Sequence, residues 1–302
     1  MPDTIESLHQ SKIQHGSEND RIYLMHLDPG DIPEILDELD KMAKKNHYGK
    51  IFAKVPEPVA EAFQKHDFRI EARIPKFFNG RVAALFLGKY FKAERQLEPK
   101  ADLAEQVLAA AKSKADSTLI DAVPYKFRLA TPQDADAIAT VYREVFKTYP
   151  FPIHDPQYIA HTMTENVLYF TLWENEALVA VASCEMSKQE KNVEMTDFAT
   201  RPKYRGQGTA VYLLERMEQV MSQHGLKTAY TIARAYSFGM NITFAKLGYT
   251  YGGTLTQNTN IAGSLESMNV WYKPLPDLVS EVSSEMMPNT PLNWVLHKGE
   301  SP

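Results

Sequence analysis

Apolar positions are sparse over residues 1–20, which predicts a polar, loosely ordered arm. From Ile22 the pattern becomes regular. Ile22 to Leu27 reads as a strand, and Ile32 to Lys45 repeats apolar residues at helical spacing through Ile35, Leu36, Leu39 and Met42, with Asp31 placed to cap the helix. A short strand over Lys50 to Val55 follows, then a helix opened by Pro58 that carries Val59, Ala62 and Phe63. Two strand-like runs, Phe68 to Phe78 and Arg81 to Tyr90, flank Asn79-Gly80, a dipeptide suited to a tight hairpin. These elements predict an N-terminal α/β unit over residues 21–97.

Between Glu98 and Asp121 the chain turns to alanine, lysine and acid, with Leu103, Val107 and Ala110 on one helical face. Residues 98–123 therefore predict a helical connector. A second unit, 124–275, opens with a strand at Lys126 to Ala130 and a helix capped by Thr131 with Pro132 at its first position. The loop Tyr149-Pro150-Phe151-Pro152 and a short helix near Tyr158 to Glu165 precede strands at Leu168–Trp173, Leu178–Met186 and Val193–Thr200. A helix from about Gly208 to His224, a strand at Thr228–Arg234, a helix near Met240 to Lys246 and a final hairpin complete it. The tail 276–302, with Pro276, Pro288, Pro291 and Pro302, reads as peripheral. The expected class is α+β, with a mixed sheet.

The two units echo each other. Phe63-Gln64-Lys65-His66-Asp67-Phe68 and Phe244-Ala245-Lys246-Leu247-Gly248-Tyr249 share an aromatic, a lysine two on and an aromatic three beyond. Two strand-like runs follow each segment. Either the first unit is a degenerate, partial copy of the later half of the second, or helix–strand–hairpin units simply look alike.

Composition narrows the function. A net charge of -5 lacks the basic balance of a nucleic-acid binder, and no apolar run approaches the ~20 residues of a membrane helix. Neither nucleic acid nor membrane is an expected partner. The polar, acidic start lacks the pattern of a secretory leader, so the expected location is cytoplasmic. Cys184 is the single cysteine, sits in an apolar strand and reads as a buried structural thiol. The scattered histidines form no H-E-x-x-H pair, so no metal is expected, and no G-x-S-x-G elbow supports a serine hydrolase.

The informative segment runs from Asp197 to Ala210. A strand enters the turn Arg205-Gly206-Gln207-Gly208-Thr209-Ala210, which passes directly into a helix. Such a turn presents backbone N–H groups at the positive end of a helix dipole, and its glycines let a pyrophosphate approach closely. Arg205 adds a charge-assisted contact. A dinucleotide fingerprint would need glycine or alanine at Val211, and no G-x-x-x-x-G-K-[ST] occurs.

With its Arg205-x-x-Gly208-x-Ala210 pattern, the chain resembles the GNAT acetyltransferase superfamily, whose acetyl-CoA signature is Q/R-x-x-G-x-G/A. The resemblance covers roughly Lys126 to Lys273 and implies a GNAT fold preceded by a partial GNAT-like α/β domain. It also implies acetyl-CoA as co-substrate. Phe198, Ala199 and Thr200 would pair with the pantetheine arm and Arg205 to Ala210 would hold the pyrophosphate. An alkylamine, pKa ~10.4, must lose a proton before it attacks a thioester. Strand alternation puts Glu194, Thr196, Phe198 and Thr200 on one face and Asp197 on the other. Glu194 matches the position of a base glutamate in some family members, although a solvated strand carboxylate is the alternative. Phe244 stands where many members carry a tyrosine acid, beside the cofactor. Asn241, Ser237 and Tyr236 are substitutes that packing or capping explains equally well, and Asn241 is taken as the catalytic candidate. Tyr230 reads as core.

The amide-rich final hairpin offers Asn258, Asn260, Glu266 and Asn269 to hold a small zwitterion, or merely turn residues. With Tyr149 and Phe151 in the aromatic loop and the run Ala235 to Asn241, it resembles the β-lysine N-acetyltransferase family. That resemblance implies acetylation of the β-lysine ε-amine, giving the compatible solute N-ε-acetyl-β-lysine under osmotic stress. Acetylation of another small amine or a protein lysine, or a silent acyl-CoA sensor, are alternatives. Monomer and homodimer stay open.

Overall fold

The structure is a computed structural model that describes residues 3–115 and 122–277. The connector stretch 116–121 and the tail from 278 onward lie outside the described residues. The polar arm expected over residues 1–20 is instead sheet. Strand β1 (Thr4–Leu8) turns at His9 and Gln10 into β2 (Ser11–Gly16), which pairs with β3 (Arg21–His26). Its signal is weak because one face is solvated and Ile13 is the buried apolar anchor of β2. Helix α1 (Glu34–Lys45) follows, buried through Ile35, Leu36 and Leu39. Asp31 does not cap it. Asp28 instead caps a short turn at Pro29–Asp31 by accepting from the Gly30 N–H at 2.8 Å, while Asp31 accepts from the Ser11 hydroxyl at 2.6 Å.

The first half continues with β4 (Lys50–Pro56), α2 (Ala60–Gln64), β5 (Arg69–Phe78), β6 (Val82–Tyr90) and the connecting helix α3 (Ala101–Lys112). The second half comprises β7 (Lys126–Leu129), α4 (Ala135–Val145), α5 (Pro156–Glu165), β8 (Val167–Glu174), β9 (Ala177–Ser187), β10 (Asn192–Thr200), α6 (Thr209–Gln223), β11 (Thr228–Arg234), α7 (Phe238–Lys246), β12 (Thr250–Ile261) and β13 (Ser264–Pro274). Cys184 lies fully buried in β9, as expected, with burial pushing its thiol up.

Among the described residues, thirteen strands form one mixed sheet in the order β1-β2-β3-β4-β6-β5-β12-β13-β11-β10-β9-β8-β7. The chain path repeats within it. β2 and β3 are antiparallel, β3–α1–β4 is a parallel crossover, and β6 inserts between β4 and β5. The second half does the same with β9 and β10, β10–α6–β11, and β13 between β11 and β12. Register fixes the equivalence: Tyr23 opposes Phe52 as Glu194 opposes Tyr230. The sequence echo is part of it. Phe63 and Phe244 are both fully buried, meet Phe68 and Tyr249 edge-on, and accept those residues' N–H groups at 3.2 and 3.1 Å. Asp67 (φ 64°) and Gly248 (φ 76°) take the same left-handed position between them.

The halves join where β5 meets β12, with Ala72 opposite Gly253. Gly253 has φ 143°, and a Cβ there would lie 2.2 Å from the Glu71 carbonyl oxygen, so only glycine permits this approach. A shared core covers the joint, with Phe52, Phe77 and Phe86 from the first half against Tyr230, Met268 and Val270 from the second. Three cations of the first half then grip consecutive carbonyls of a bulge in β12. Lys50 donates to Thr256 O at 2.9 Å, Arg95 to Gln257 O at 2.8 Å, and Arg21 to Asn258 O. Lys50 is paired with Glu71 at 2.8 Å and Arg95 with Asp20 at 2.9 Å.

Candidate active site

β10 and β11 pair only where Asn192–Glu194 oppose Thr228–Tyr230. Beyond that point β10 stays with β9 and β11 stays with β13, so the two strands part. Backbone groups along this split face no ladder partner across it, which makes the split a slot for an extended ligand. A bulge between Thr196 and Ala199 accompanies the divergence, and Asp197 sits at its centre with φ 55°. The extra residue breaks the alternation. Asp197, expected on the opposite face, therefore lines the same cavity as Glu194, Thr196 and Phe198.

That cavity has a volume of about 590 Å³ and opens beside the split. Phe198 and Phe244 meet edge-on at 5.6 Å on its wall, with Thr231, Ile232, Ala233 and Met240 from β11 and α7 nearby. Ala199 and Thr200 pair with β9 on one side, leaving their other side towards the split. Thr200 and Thr209 exchange a hydrogen bond at 2.9 Å across the phosphate-binding turn. Gly206 and Gly208 adopt φ 78° and 76°, and Gly208 starts α6 with no side chain capping it. The first N–H groups of α6 are therefore left for an anion. Gln207 is held by the Tyr125 hydroxyl, and Arg205 lies on the surface with Nε 3.3 Å from Thr200 O. Ala210, within the first turn of α6, leaves the helix start narrow.

The electrostatics of the cavity are unusual. Burial, with the nearby Glu185, pushes the Glu194 carboxyl up to about 7. Glu185 itself is raised by the crowding of protein around it, although its surface is open to the cavity. Asp197 is raised by burial too, against three hydroxyl donors: Ser183 at 2.5 Å, Thr196 at 3.1 Å and Tyr149. From the first half, Lys54 reaches over the rings of Phe77 and Tyr230 and donates to the Tyr230 hydroxyl at 3.3 Å. Tyr230 acts against the rise of the Glu194 pKa, favouring its charged form. Burial works against the charge on Lys54, but Tyr23, Glu194, Glu190 and Glu185 outweigh it and lift its pKa. Among the described residues, none of Glu185, Glu194, Asp197, Lys54 and Arg21 has an oppositely charged side chain within 4.0 Å. Buried charges held apart in this way are costly unless a ligand completes them.

Glu194, Phe198, Phe244, Tyr149, Phe151 and Asn258 thus line one cavity. Asn241 does not. Its amide nitrogen donates to Arg234 O at 2.9 Å and Ser237 O at 2.8 Å, while its oxygen accepts from Asn269 at 2.8 Å and Trp271 at 2.9 Å. A fully committed, buried amide has nothing left for catalysis, and the catalytic assignment of Asn241 is withdrawn. Asn269 is spent on Asn241 and Thr254, and Glu266 grips Arg234 through both oxygens at 2.9 and 2.7 Å. Asn260 binds Glu18 O and Asn19. Asn269 and Glu266 are thus spent inside the second half and Asn260 on the first half, so of these four hairpin residues Asn258 alone lines the cavity. Tyr230 is core, as read, buried between the halves, and it also lines the cavity.

Sequence reasoning passed over Lys54, Glu185, Arg21 and Tyr23. A signal existed: Lys54 stands alone in the apolar run Ile51-Phe52-Ala53-Lys54-Val55, and Glu185 ends Val181-Ala182-Ser183-Cys184. A lone charge inside a buried strand needs a reason.

Residues 137–249 match the family described as Acetyltransferase (GNAT) family. The chain is 41% identical over 271 residues to the β-lysine N(6)-acetyltransferase of Methanococcus maripaludis, covering 89% of this chain and 98% of that relative. It is 38% identical over 151 residues to the β-lysine N(6)-acetyltransferase of Methanosarcina mazei, covering 50% of this chain and 56% of that one. It is also 31% identical over 264 residues to the N-acetyltransferase YodP of Bacillus subtilis, covering 87% of this chain and 95% of the relative.

Proposed function

Because this chain belongs to the GNAT acetyltransferases, and among them to the family of the β-lysine N(6)-acetyltransferases, we propose that it acetylates the ε-amine of β-lysine. The observation that carries the reading is the cavity at the strand split, which holds carboxylates and cations apart as a diamino acid requires. Its walls come from both halves of the chain, which suits a small acceptor better than a peptide.

The split and turn fit acetyl-CoA as donor. The backbone of Phe198, Ala199 and Thr200 faces the split, and the uncapped start of α6, from Gly206 to Ala210, suits a pyrophosphate. Bound there, acetyl-CoA supplies the thioester carbon that the amine attacks. Glu194 accepts the proton that the ε-ammonium must lose before nitrogen bonds to that carbon; as the carbon–sulfur bond breaks, CoA leaves as a thiolate that takes up the second proton shed by the nitrogen. A carboxyl pushed up to about 7 is suited to take a proton near neutral pH. Tyr230 and Lys54, bound to each other, both favour the charged form of Glu194. Phe244 supplies apolar wall and no proton.

Acetylation removes one of two ammonium charges and leaves one ammonium against one carboxylate. The product is a neutral zwitterion, the chemistry of a compatible solute, and we place its formation in the cytoplasm. The test is release of free thiol from acetyl-CoA with β-lysine, α-lysine and spermidine compared side by side. Preference for β-lysine, with the acetyl group on the ε-nitrogen, supports the reading. CoA binding without turnover on all of them sinks it.

A further inference from the structure

Arg21 is a buried cation that lines the cavity from the first half of the chain. Its side chain lies 5.4 Å over the Tyr23 ring and 5.7 Å over Phe52, two aromatic residues that line the same cavity. Nη1 is spent on Asn258 O and on Thr259 Oγ1 at 3.1 Å. Nε has no partner, and the Oδ1 of Asn258 has none either. Arg21 is 4% exposed and Asn258 1%, so neither is a solvated surface group. Burial above all, with the neighbouring Arg95, pulls the guanidinium down to about 10, and it remains charged at neutral pH.

Along β3, Arg21 stands one same-face step from Tyr23, about 6.6 Å away by strand geometry. Tyr23 opposes Phe52 in register and feels the charge of Glu194. An acceptor whose reacting amine sits at Glu194 therefore lies along the Tyr23–Phe52 floor with its far end at Arg21.

From this geometry, and resting on the acetyltransferase reading above, we infer that Arg21, steadied by Asn258 and Thr259, is the carboxylate subsite of the acceptor pocket. The first half of the chain thereby selects amino acids over simple diamines. Arg21 binds one end of the acceptor while Glu194, on the other half, takes the proton at the other end.

The readout is the ratio of kcat/KM for β-lysine to that for its decarboxylated diamine. In the unaltered protein the ratio favours β-lysine. Arg21→Gln lowers it by roughly 10- to 100-fold, mainly through KM for β-lysine, as loss of a charge-assisted contact implies. Arg21→Lys recovers part of the loss. Because Arg21 also holds the β12 bulge, melting temperature and CoA affinity are measured alongside. If Arg21→Gln does not fold, Asn258→Asp serves, since a carboxylate at the subsite lowers the same ratio. An unaltered ratio in folded variants overturns the inference and leaves Arg21 a clamp on β12. A protein that acetylates β-lysine but shows no preference over the diamine overturns it as well, while the proposed function stands. Failure to acetylate β-lysine at all strikes the proposed function instead. In that event, an Arg21-dependent preference for another carboxylated amine over its decarboxylated form keeps the subsite, and the absence of one overturns it.

Discussion

The two halves of the sheet follow one chain path and differ at one junction. In the second half, β10 runs nine residues, bulges at Asp197, parts from β11 and ends in a glycine turn that leaves the start of α6 uncapped. In the first half, β3 runs six residues and ends in Asp28-Pro29-Gly30-Asp31. There Asp28 itself takes the Gly30 N–H, and Asp31, with Glu34 in the next helix, adds acid where a phosphate would need cations. The same scaffold thus keeps a phosphate seat in one copy and blocks it with its own carboxylates in the other. What the first half retains is the inward face of β3 and β4, which brings Arg21, Tyr23, Phe52 and Lys54 to the cavity. On the proposed function, the halves divide the substrates: one would bind the donor, and both would hold the acceptor.

The largest test bears on the matched pair Glu194 and Tyr23. Glu194→Gln is expected to lower kcat by about 10²- to 10⁴-fold, whereas Tyr23→Phe costs about ten-fold or less, in steady-state assays of thiol release. The pH profile sharpens the point. Glu194 works deprotonated and its pKa is raised to about 7, so the rate climbs as pH passes about 7, and the variant loses that limb. Stability runs the other way. A carboxyl whose folded pKa is raised holds its proton longer when folded, so the unliganded protein loses stability as pH rises from about 4.5 through about 7.

Next comes the grip between halves. Lys50→Met leaves Glu71 buried without its cation and releases Thr256 O, so unfolding by denaturant should show a loss of about 3–5 kcal/mol. A smaller effect separates the junctions. Gly208→Asp, which brings to the second half the carboxylate of the first, should weaken CoA binding roughly 100-fold by calorimetry, about the loss expected from opposing charge at a phosphate seat. Gly30→Ala, at the matching junction of the first half, should change it by less than about two-fold, since that junction takes no phosphate. The smallest test asks how nearly equivalent the halves are. Gly248→Asp copies the residue at Asp67 into the same left-handed position and should cost about 1 kcal/mol or less in thermal unfolding.

Much of this was legible in the chain. Strands, helices and the phosphate turn are local patterns, and Arg205 to Ala210 lies contiguous on the page as in the fold. Glu194 was legible because its strand leads straight into that turn. The acceptor site was not, because its parts meet only in the folded sheet: Arg21 binds Asn258 and Lys54 binds Tyr230. Asp197 escaped because alternation assumes an unbroken strand, and its bulge inserts an extra residue. Asn241 misled for a related reason. An amide near the start of a helix looks available until Asn269 and Trp271, from β13 at the far side of the final hairpin, are seen to occupy it.

The joint between β5 and β12 has a consequence for solubility. Separate sheets would each present open edges, and an unpaired edge strand recruits other chains into aggregates. Joined at Ala72 and Gly253, the sheet keeps two outer strands, β1 and β7. β7 is only four residues long, and β1 is polar and solvated. Both make poor templates. Expressed apart, each half would expose the edge the other now covers, and the separate pieces should aggregate more readily than the intact chain.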